Sequence, residues 1–354
     1  MMAEPIKVLI VDDSAFNRRS IAQALAGTPE VKVVGTAADG EEALRLVGAL
    51  KPNVITLDLE MPKMDGFTFL RILMSKMPTP VIVVSSYSQK ENVFRALELG
   101  ALDFIPKPDR HVDVEMLGVR DLLLQKVLMV RALRPEAFAA RRMLETVSSH
   151  RIDVKRTEAP KIPPRHLVAI ASSTGGPTAL MEIFGRLPPK RSISVLVAQH
   201  MPEKFTRTFA ERLNRRCHLQ VTEATDLDVV SEQTAFVCPG RKVMQVESEG
   251  VMSSVRLRVR FPDSTDRYVP SADRLLASAA KVAGSRCVGV ILTGMGDDGV
   301  EGAKAIRAAG GRVIAESEET AVVYGMPGSA VRAGVVNEVM PLPAIADWLA
   351  ELGG

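Results

Sequence analysis

Strand-length apolar runs alternate with helical segments from Lys7 to Lys107, and this alternation limits the fold more than any other feature of the chain. Lys7–Val11, Val31–Thr36, Asn53–Leu57, Pro80–Val84 and Ala101–Ile105 read as strands. Between them, Ser14 caps a helix through about Ala26, and Asp39–Leu50, Asp65–Met77 and Gln89–Gly100 read as further helices. Five such units predict an α/β domain, a parallel sheet with helices on both faces. In such sheets ligands sit at the carboxyl ends of the strands.

A second series follows. Strands are expected at His166–Ala171, Ile193–Ala198, Leu219–Glu223, Ala235–Val237 and Arg286–Leu292. Helices are expected at Thr178–Arg186, Lys204–Asn214, Ala272–Val282, Val300–Ala309 and Leu342–Leu352. This is a second, doubly wound α/β domain. An insertion from Arg241 to Val269 alternates Val243, Val246, Val255, Leu257 and Val259 and reads as a β-hairpin. Residues 111–133 read as one more amphipathic helix, with Leu117, Val119, Leu122, Leu123, Val127 and Val130 on its apolar face. Arg131 to Arg165 is then basic and carries Pro135, Pro160, Pro163 and Pro164, which predicts a mobile connection with a helical turn at Glu136–Val147. The expected organisation is a domain over 1–130, a basic Pro-containing linker over 131–164 and a domain over 165–354, in keeping with a length of 354 residues.

Composition removes several classes of function. No apolar run approaches the roughly 20 residues needed to span a bilayer, so no direct membrane insertion is expected. Met1 to Lys7 lacks the basic region and apolar core of a signal peptide. Cys217, Cys238 and Cys287 are far apart and form no CxxC pair, which argues against a disulfide framework or a zinc site and suits a reducing cytoplasm. A net charge of +3, and a basic linker without interleaved aromatics, give no reason to expect nucleic-acid binding.

The strand ends of the first domain carry Asp12, Asp13 and Asp58, then Ser85, then Lys107. Three carboxylates converging on one edge repel one another unless they surround a hard divalent cation. An aspartate beside such a cation can attack a phosphoryl group and become an acyl phosphate. A lysine and a hydroxyl at neighbouring strand ends would hold the phosphoryl oxygens. With Asp58 in Leu57-Asp58-Leu59-Glu60-Met61-Pro62, Asp65-Gly66 and Pro106-Lys107-Pro108, residues 6–108 resemble the receiver domain of two-component response regulators. The resemblance implies the flavodoxin-like strand order 2-1-3-4-5, for which a close relative is a standard example. It also implies Mg²⁺ at Asp12 or Asp13 and Asp58, with the Glu60 backbone carbonyl as a further ligand. Asp58 would be the phosphoacceptor, and Ser85 and Lys107 would sense the phosphoryl group.

In the second domain the strand ending at Ala171 runs into Ser172-Ser173-Thr174-Gly175-Gly176, and Pro177 opens a helix. A serine at such a turn stands at the positive end of the helix, beside backbone N–H groups, where an oxyanion is stabilised. A serine nucleophile needs a base. Of the five histidines, His111 and His150 lie in or near the linker, His166 begins its strand and His218 precedes one. Only His200 follows a strand and falls on the serine's edge. Gly294-Met295-Gly296-Asp297-Asp298-Gly299 follows another strand, so either aspartate could orient the base. The glycines there let a backbone N–H reach the oxyanion.

These segments resemble the chemotaxis protein-glutamate methylesterases, whose receiver is likewise N-terminal. The family's Ile-Gly-Ala-Ser-Thr-Gly-Gly aligns on Ile170 to Gly176 and implies Ser173 as nucleophile. Gln199-His200-Met201-Pro202 aligns His200 as base, and Asp298 aligns with the triad acid. Backbone N–H groups of Thr174 and Met295 are the implied oxyanion donors. Two departures stand out: Ala171-Ser172 replaces Gly-Ala, and Lys242 in Pro239-Gly240-Arg241-Lys242 stands where the family has a substrate-side histidine. The implied function is a phosphorylation-activated esterase that demethylates, and deamidates, side chains of methylated chemoreceptor cytoplasmic domains. Its phosphodonor would be a chemotaxis-type histidine kinase, and the esterase reaction itself would need no cofactor. The unphosphorylated receiver would cover the Ser173 edge. The competing reading is a receiver joined to a protein-binding output module with a vestigial esterase site.

Overall fold

The computed structural model of the protein describes residues 4–86, 90–107, 113–134, 162–248 and 254–354, and the side chains of residues 113–118 are outside that description. Most of the linker expected at 131–164, its helical turn at Glu136–Val147, and His111 and His150 also lie outside the described residues. The chain divides into two compact units, Met1–Leu133 and Arg134–Gly354.

The first unit carries β1 (Ile6–Val11), α1 (Ala15–Leu25), β2 (Val31–Ala37), α2 (Gly40–Leu50), β3 (Val54–Leu57), α3 (Gly66–Lys76), β4 (Val81–Ser85), α4 (Lys90–Glu98), β5 (Asp103–Pro106) and α5 (Asp113–Leu128). Three helices start where a short polar side chain can accept an orphan backbone N–H. Ser14 accepts from Asn17, Asp39 from Glu42 and Asp65 from Thr68, the last at 2.7 Å. The five strands pair in parallel in the order β2-β1-β3-β4-β5. Ile6, Val8, Ile10, Ile21, Leu25 and Val54 form part of the core, and Leu123 and Val127 of α5 close it. An ion pair between Lys126 and Asp103 ties α5 to β5. The helix read over 111–133 is not uniform: it ends at Leu128, and Met129–Ala132 tightens into a 3₁₀ turn. That tightening satisfies a terminal carbonyl, since the Leu133 N–H reaches the Val130 oxygen at 3.2 Å.

The second unit contains β6 (His166–Ser172), α6 (Gly176–Arg186), β7 (Ile193–Gln199), α7 (Glu203–Asn214), β8 (Gln220–Glu223), β9 (Thr234–Val237), β10 (Val243–Glu247), β11 (Arg256–Arg260), α8 (Ala272–Ala283), β12 (Cys287–Ile291), α9 (Val300–Ala308), β13 (Arg312–Glu316), α10 (Met326–Arg332), β14 (Glu338–Met340) and α11 (Leu342–Glu351). Seven strands form one parallel sheet in the order β14-β13-β12-β6-β7-β9-β8. The antiparallel pair β10–β11 is the expected hairpin. Two strands and a helix escaped sequence reading. β13 is bounded by Arg312 and Glu316, β14 has three residues at the sheet edge, and α10 contains Pro327 and Gly328, which read as breakers. Among the described residues, no helix is long and apolar enough to cross a membrane.

Strand order reverses beside β6: the chain moves from β6 to β7 on one side and returns to β12 on the other. Crevices at the carboxyl ends of strands open at such reversals. The first unit has its own reversal, with β1 flanked by β2 and β3.

The hairpin is anchored to the sheet domain by Asp266, whose side chain is inaccessible and bridges Arg260 at 2.7 Å and Arg274 at 3.0 Å. The Arg260 guanidinium, helped by the Asp263 N–H and Arg274, holds the Asp266 carboxyl down to about 2. A carboxyl depressed in the folded state contributes stability above its unfolded value and loses it as pH falls through the folded value. Asp266→Asn is therefore expected to cost about 1–3 kcal/mol at pH 7, with the gap to wild type closing between about pH 4 and pH 2. Urea denaturation of both proteins across that range checks this.

Candidate active site

β6 delivers the Ser172-Ser173 turn. Its last residue, Ser172, is fully buried, and its hydroxyl donates to Gln199 Oε1 at 2.7 Å. Ser173 is half-buried and stands just beyond the strand end. Of the two adjacent serines, Ser172 is thus turned into the protein and engaged, while Ser173 keeps partial exposure. The Ser173 N–H donates to the Thr293 carbonyl at 3.1 Å, and its carbonyl accepts from the Gly176 N–H at 2.8 Å. α6 begins there, with Gly175 as cap and Pro177 in its first turn.

His200 follows β7, the neighbour of β6, and its N–H donates to the Ser172 carbonyl at 3.0 Å. Its ring Nε2 meets Asp298 Oδ2 at 2.8 Å. A carboxylate can only accept, so Nε2 carries the hydrogen and Nδ1 is the nitrogen left for a proton. Tyr268 stacks on the imidazole, with ring centroids 5.6 Å apart and planes 14° apart.

The two aspartates after β12 have different surroundings. Asp298 is 1% exposed and accepts the Ala272 N–H at 2.8 Å and the Asp273 N–H at 2.9 Å, the first amides of α8. It therefore caps α8 and holds the His200 ring with one carboxylate. Asp297 is exposed and faces away, accepting from the Tyr268 hydroxyl at 2.8 Å and Arg267 at 3.1 Å. The Tyr268 hydroxyl, with Arg267 beside it, holds the Asp297 carboxyl below the ordinary range. Asp273 returns the capping to α9 by accepting from Gly299 and Gly302, both at 2.9 Å, while burial pushes its carboxyl up.

The turn after β12 lies directly on the turn after β6. A Cβ on Gly294 would stand 2.7 Å from the Ser173 Cβ and 2.4 Å from Met326 Sδ, so a side chain there would displace the turn after β6. Thr293 locks the two turns together. Its hydroxyl donates to the Thr174 carbonyl at 3.0 Å and accepts from the Val323 N–H at 3.0 Å. Its own N–H donates to the fully buried Glu316 at 2.8 Å. Thr174 is buried and Met295 is 41% exposed, on either side of this contact. Sequence reading assigned no role to Gln199, Thr293 or Tyr268. A glutamine closing the apolar run Val195-Leu196-Val197-Ala198 was the available signal for the first; the contacts of the other two are long-range and carry none. Lys242 lies with its ammonium 2.9 Å from the Phe261 ring centroid, a cation–π contact within the hairpin insertion.

In the first unit Asp12, Asp13 and Asp58 come within 4.8 Å of one another, the hard-oxygen donor set that a divalent cation takes. Lys107 bridges Asp58 at 2.6 Å and Asp12 at 3.1 Å. Asp12 is fully buried and accepts from the Ser14 N–H at 2.9 Å and the Asn17 amide at 3.1 Å. Burial pushes the Asp58 carboxyl up, against the pull of Lys107. Burial also works against the Lys107 ammonium, but Asp58 and Asp12 hold it above the ordinary lysine value. Ser85 ends the neighbouring strand with its hydroxyl buried. The Glu60 N–H lies 3.5 Å from Asp58 Oδ1, which sets its backbone beside the cluster.

Comparison with known proteins accounts for both units of the chain. The family model described as CheB methylesterase matches residues 168–349, and that of the response regulator receiver domain matches residues 8–116. A protein-glutamate methylesterase/protein-glutamine glutaminase 3 of Geobacter sulfurreducens is 49% identical, over 95% of this chain and 94% of its own length. The chain belongs to the CheB methylesterase family. A relative of the same description from Myxococcus xanthus is 48% identical over 98% of this chain and 97% of its own. The solved CheB methylesterase catalytic domain of Thermotoga maritima is 37% identical with a TM-score of 0.50, covering 52% of this chain and 97% of that one. Family membership thus accounts for both units, a receiver followed by a methylesterase domain.

The double duty of Asp298 has a consequence for stability. Ser271 remains the N-cap of α8, but Asp298→Ala leaves its first two amides without their acceptor as well as releasing the His200 ring, a loss of about 1–2 kcal/mol. In a domain of this size that lowers the melting temperature by roughly 2–8 °C. Calorimetry of the variant checks this; an unchanged melting temperature would show that the cap contributes nothing.

Proposed function

We propose that the protein hydrolyses methyl esters of glutamate side chains, and amides of glutamine side chains, in the cytoplasmic domains of chemoreceptors. The observation that carries the reading is the His200–Asp298 contact at 2.8 Å on the same sheet edge as the half-buried Ser173. Ser173 Oγ attacks the ester carbonyl as His200 takes its proton at Nδ1, and Asp298 stabilises the imidazolium. The N–H groups of Thr174 and Met295 receive the developing oxyanion. His200 then protonates the departing methoxide, giving methanol and an acyl-enzyme. A water deprotonated by His200 attacks that acyl group, and Ser173 leaves with the proton. With glutamine the leaving group is ammonia. A vestigial site has less to recommend it: the departure at Ser172 is absorbed by a hydrogen bond to Gln199, and the buried acid–histidine pair is complete.

The first unit serves as the input. Asp58 accepts a phosphoryl group from a chemotaxis-type histidine kinase, with Lys107 and Ser85 holding its oxygens. Asp12, Asp13 and Asp58, with the Glu60 carbonyl, would hold Mg²⁺. When bound, that ion supplies positive charge against the phosphoryl oxygens. Phosphorylation shifts a two-state equilibrium that raises turnover at Ser173. A cytoplasmic location fits an enzyme acting on those receptor domains.

Ser173→Ala is expected to abolish methanol release from methylated receptor while the circular dichroism and melting temperature stay at wild-type values. Turnover retained by that variant would end the assignment. Asp58→Asn is expected to keep basal methanol release and lose its stimulation by a small-molecule phosphodonor. Stimulation that persists would place the switch elsewhere.

A further inference from the structure

Gln199 is a polar residue at the end of a strand whose seven residues are all buried, and it is itself 1% exposed. Its amide forms three hydrogen bonds. Nε2 donates to the Ser173 carbonyl at 2.9 Å and to the His200 carbonyl at 2.9 Å, and Oε1 accepts from the Ser172 hydroxyl at 2.7 Å. One side chain therefore grips the backbone of both the proposed nucleophile and the proposed base.

Its position explains why such a grip is needed. The β6–β7 ladder pairs Ser172 with Gln199 and ends with the His200 N–H on the Ser172 carbonyl at 3.0 Å. Beyond that bond Ser173 and His200 leave the sheet on separate turns. The Gln199 amide carries the tie between β6 and β7 one residue further, across the point where the backbone ladder stops. Gly176 makes room for it, because a Cβ there would stand 2.1 Å from Gln199 Oε1. The opposite amide orientation would set Oε1 against two carbonyl oxygens, which fixes the orientation, and the Ser172 hydroxyl adds a third hydrogen bond at Oε1.

We infer that Gln199 is a positioning residue that sets the Ser173–His200 separation, and that Ser172 acts through it by locking the amide. The inference rests on the esterase reading of the site. It gives the alanine-to-serine departure at Ser172 a purpose: the extra hydroxyl braces the amide from the β6 side.

Gln199→Met keeps the volume and removes both donors. In the full-length protein kcat for methanol release is expected to fall about 10- to 100-fold, the scale of a misplacement near 1 Å, with KM unchanged. Ser173 labelling by a fluorophosphonate is expected to slow in parallel. Ser172→Ala is expected to lower kcat by a smaller factor in the wild type and by none in the Gln199→Met background. Gln199→Glu is the second variant should methionine impair folding. An ionised carboxylate would repel both carbonyls, and protonation restores one donor, so its kcat relative to wild type should rise as pH falls. Wild-type kcat and labelling in Gln199→Met overturn the inference, as does an equal effect of Ser172→Ala in both backgrounds, or a wild-type pH profile in Gln199→Glu. A wild type that is not labelled at Ser173 overturns the esterase reading and this inference with it. A labelled wild type beside an equally labelled Gln199→Met overturns this inference alone.

Discussion

The reversal of strand order beside β6 is the constraint on which the catalytic unit depends. In a parallel sheet every strand points the same way, so the residues that follow each strand gather at one edge. Placing β7 and β12 on either side of β6 brings three turns together: Ser173-Thr174, His200 and Thr293 to Asp298. These segments lie far apart in the chain. No local preference could assemble them; pairing of the strands in one sheet brings them together. The same device operates in the receiver, where β1 and β3 are neighbours and carry Asp12 and Asp58 to one edge.

Once the turns are adjacent, buried polar groups hold them in register. Thr293 joins the turn after β6 to the turn that carries Met295, and Glu316 holds Thr293 from behind. Asp298 joins His200 to the start of α8. The Thr293 and Ala272 contacts are buried and the His200–Asp298 contact is partly so, and leaving a buried partner unmade costs the desolvation of that group. That penalty ties the fold to the chemistry: breaking an orienting contact at this edge also uncaps a helix or strands a backbone amide.

Much of this was legible beforehand. The βα alternation gave both sheets their class, and Ser14, Asp39 and Asp65 cap the helices they were expected to begin. His200 was found as the one histidine after a strand. β13 and α10 were missed because Arg312, Glu316, Pro327 and Gly328 suppress the local signals on which such reading relies. β14 is a three-residue edge strand, too short for any periodicity to show. The residues alone could not choose between Asp297 and Asp298, since both precede the same helix and either could serve as its cap. The choice follows from burial: Asp298 is enclosed beneath His200 and Asp297 faces Arg267 and Tyr268.

The chemistry on offer and the sheet edges that carry it could be read from short-range patterns of apolar, glycine and capping residues, because strand ends and turns are written in them. The sequence could place Ser173, His200 and Lys107 at the ends of strands. The family resemblance had pointed to Asp298 over Asp297, but the packing of Gln199 on Ser172 and of Tyr268 on the His200 ring could not be read from the sequence. Those choices rest on contacts between residues tens of positions apart, and burial, which selects among them, exists only once the sheet has closed over its core.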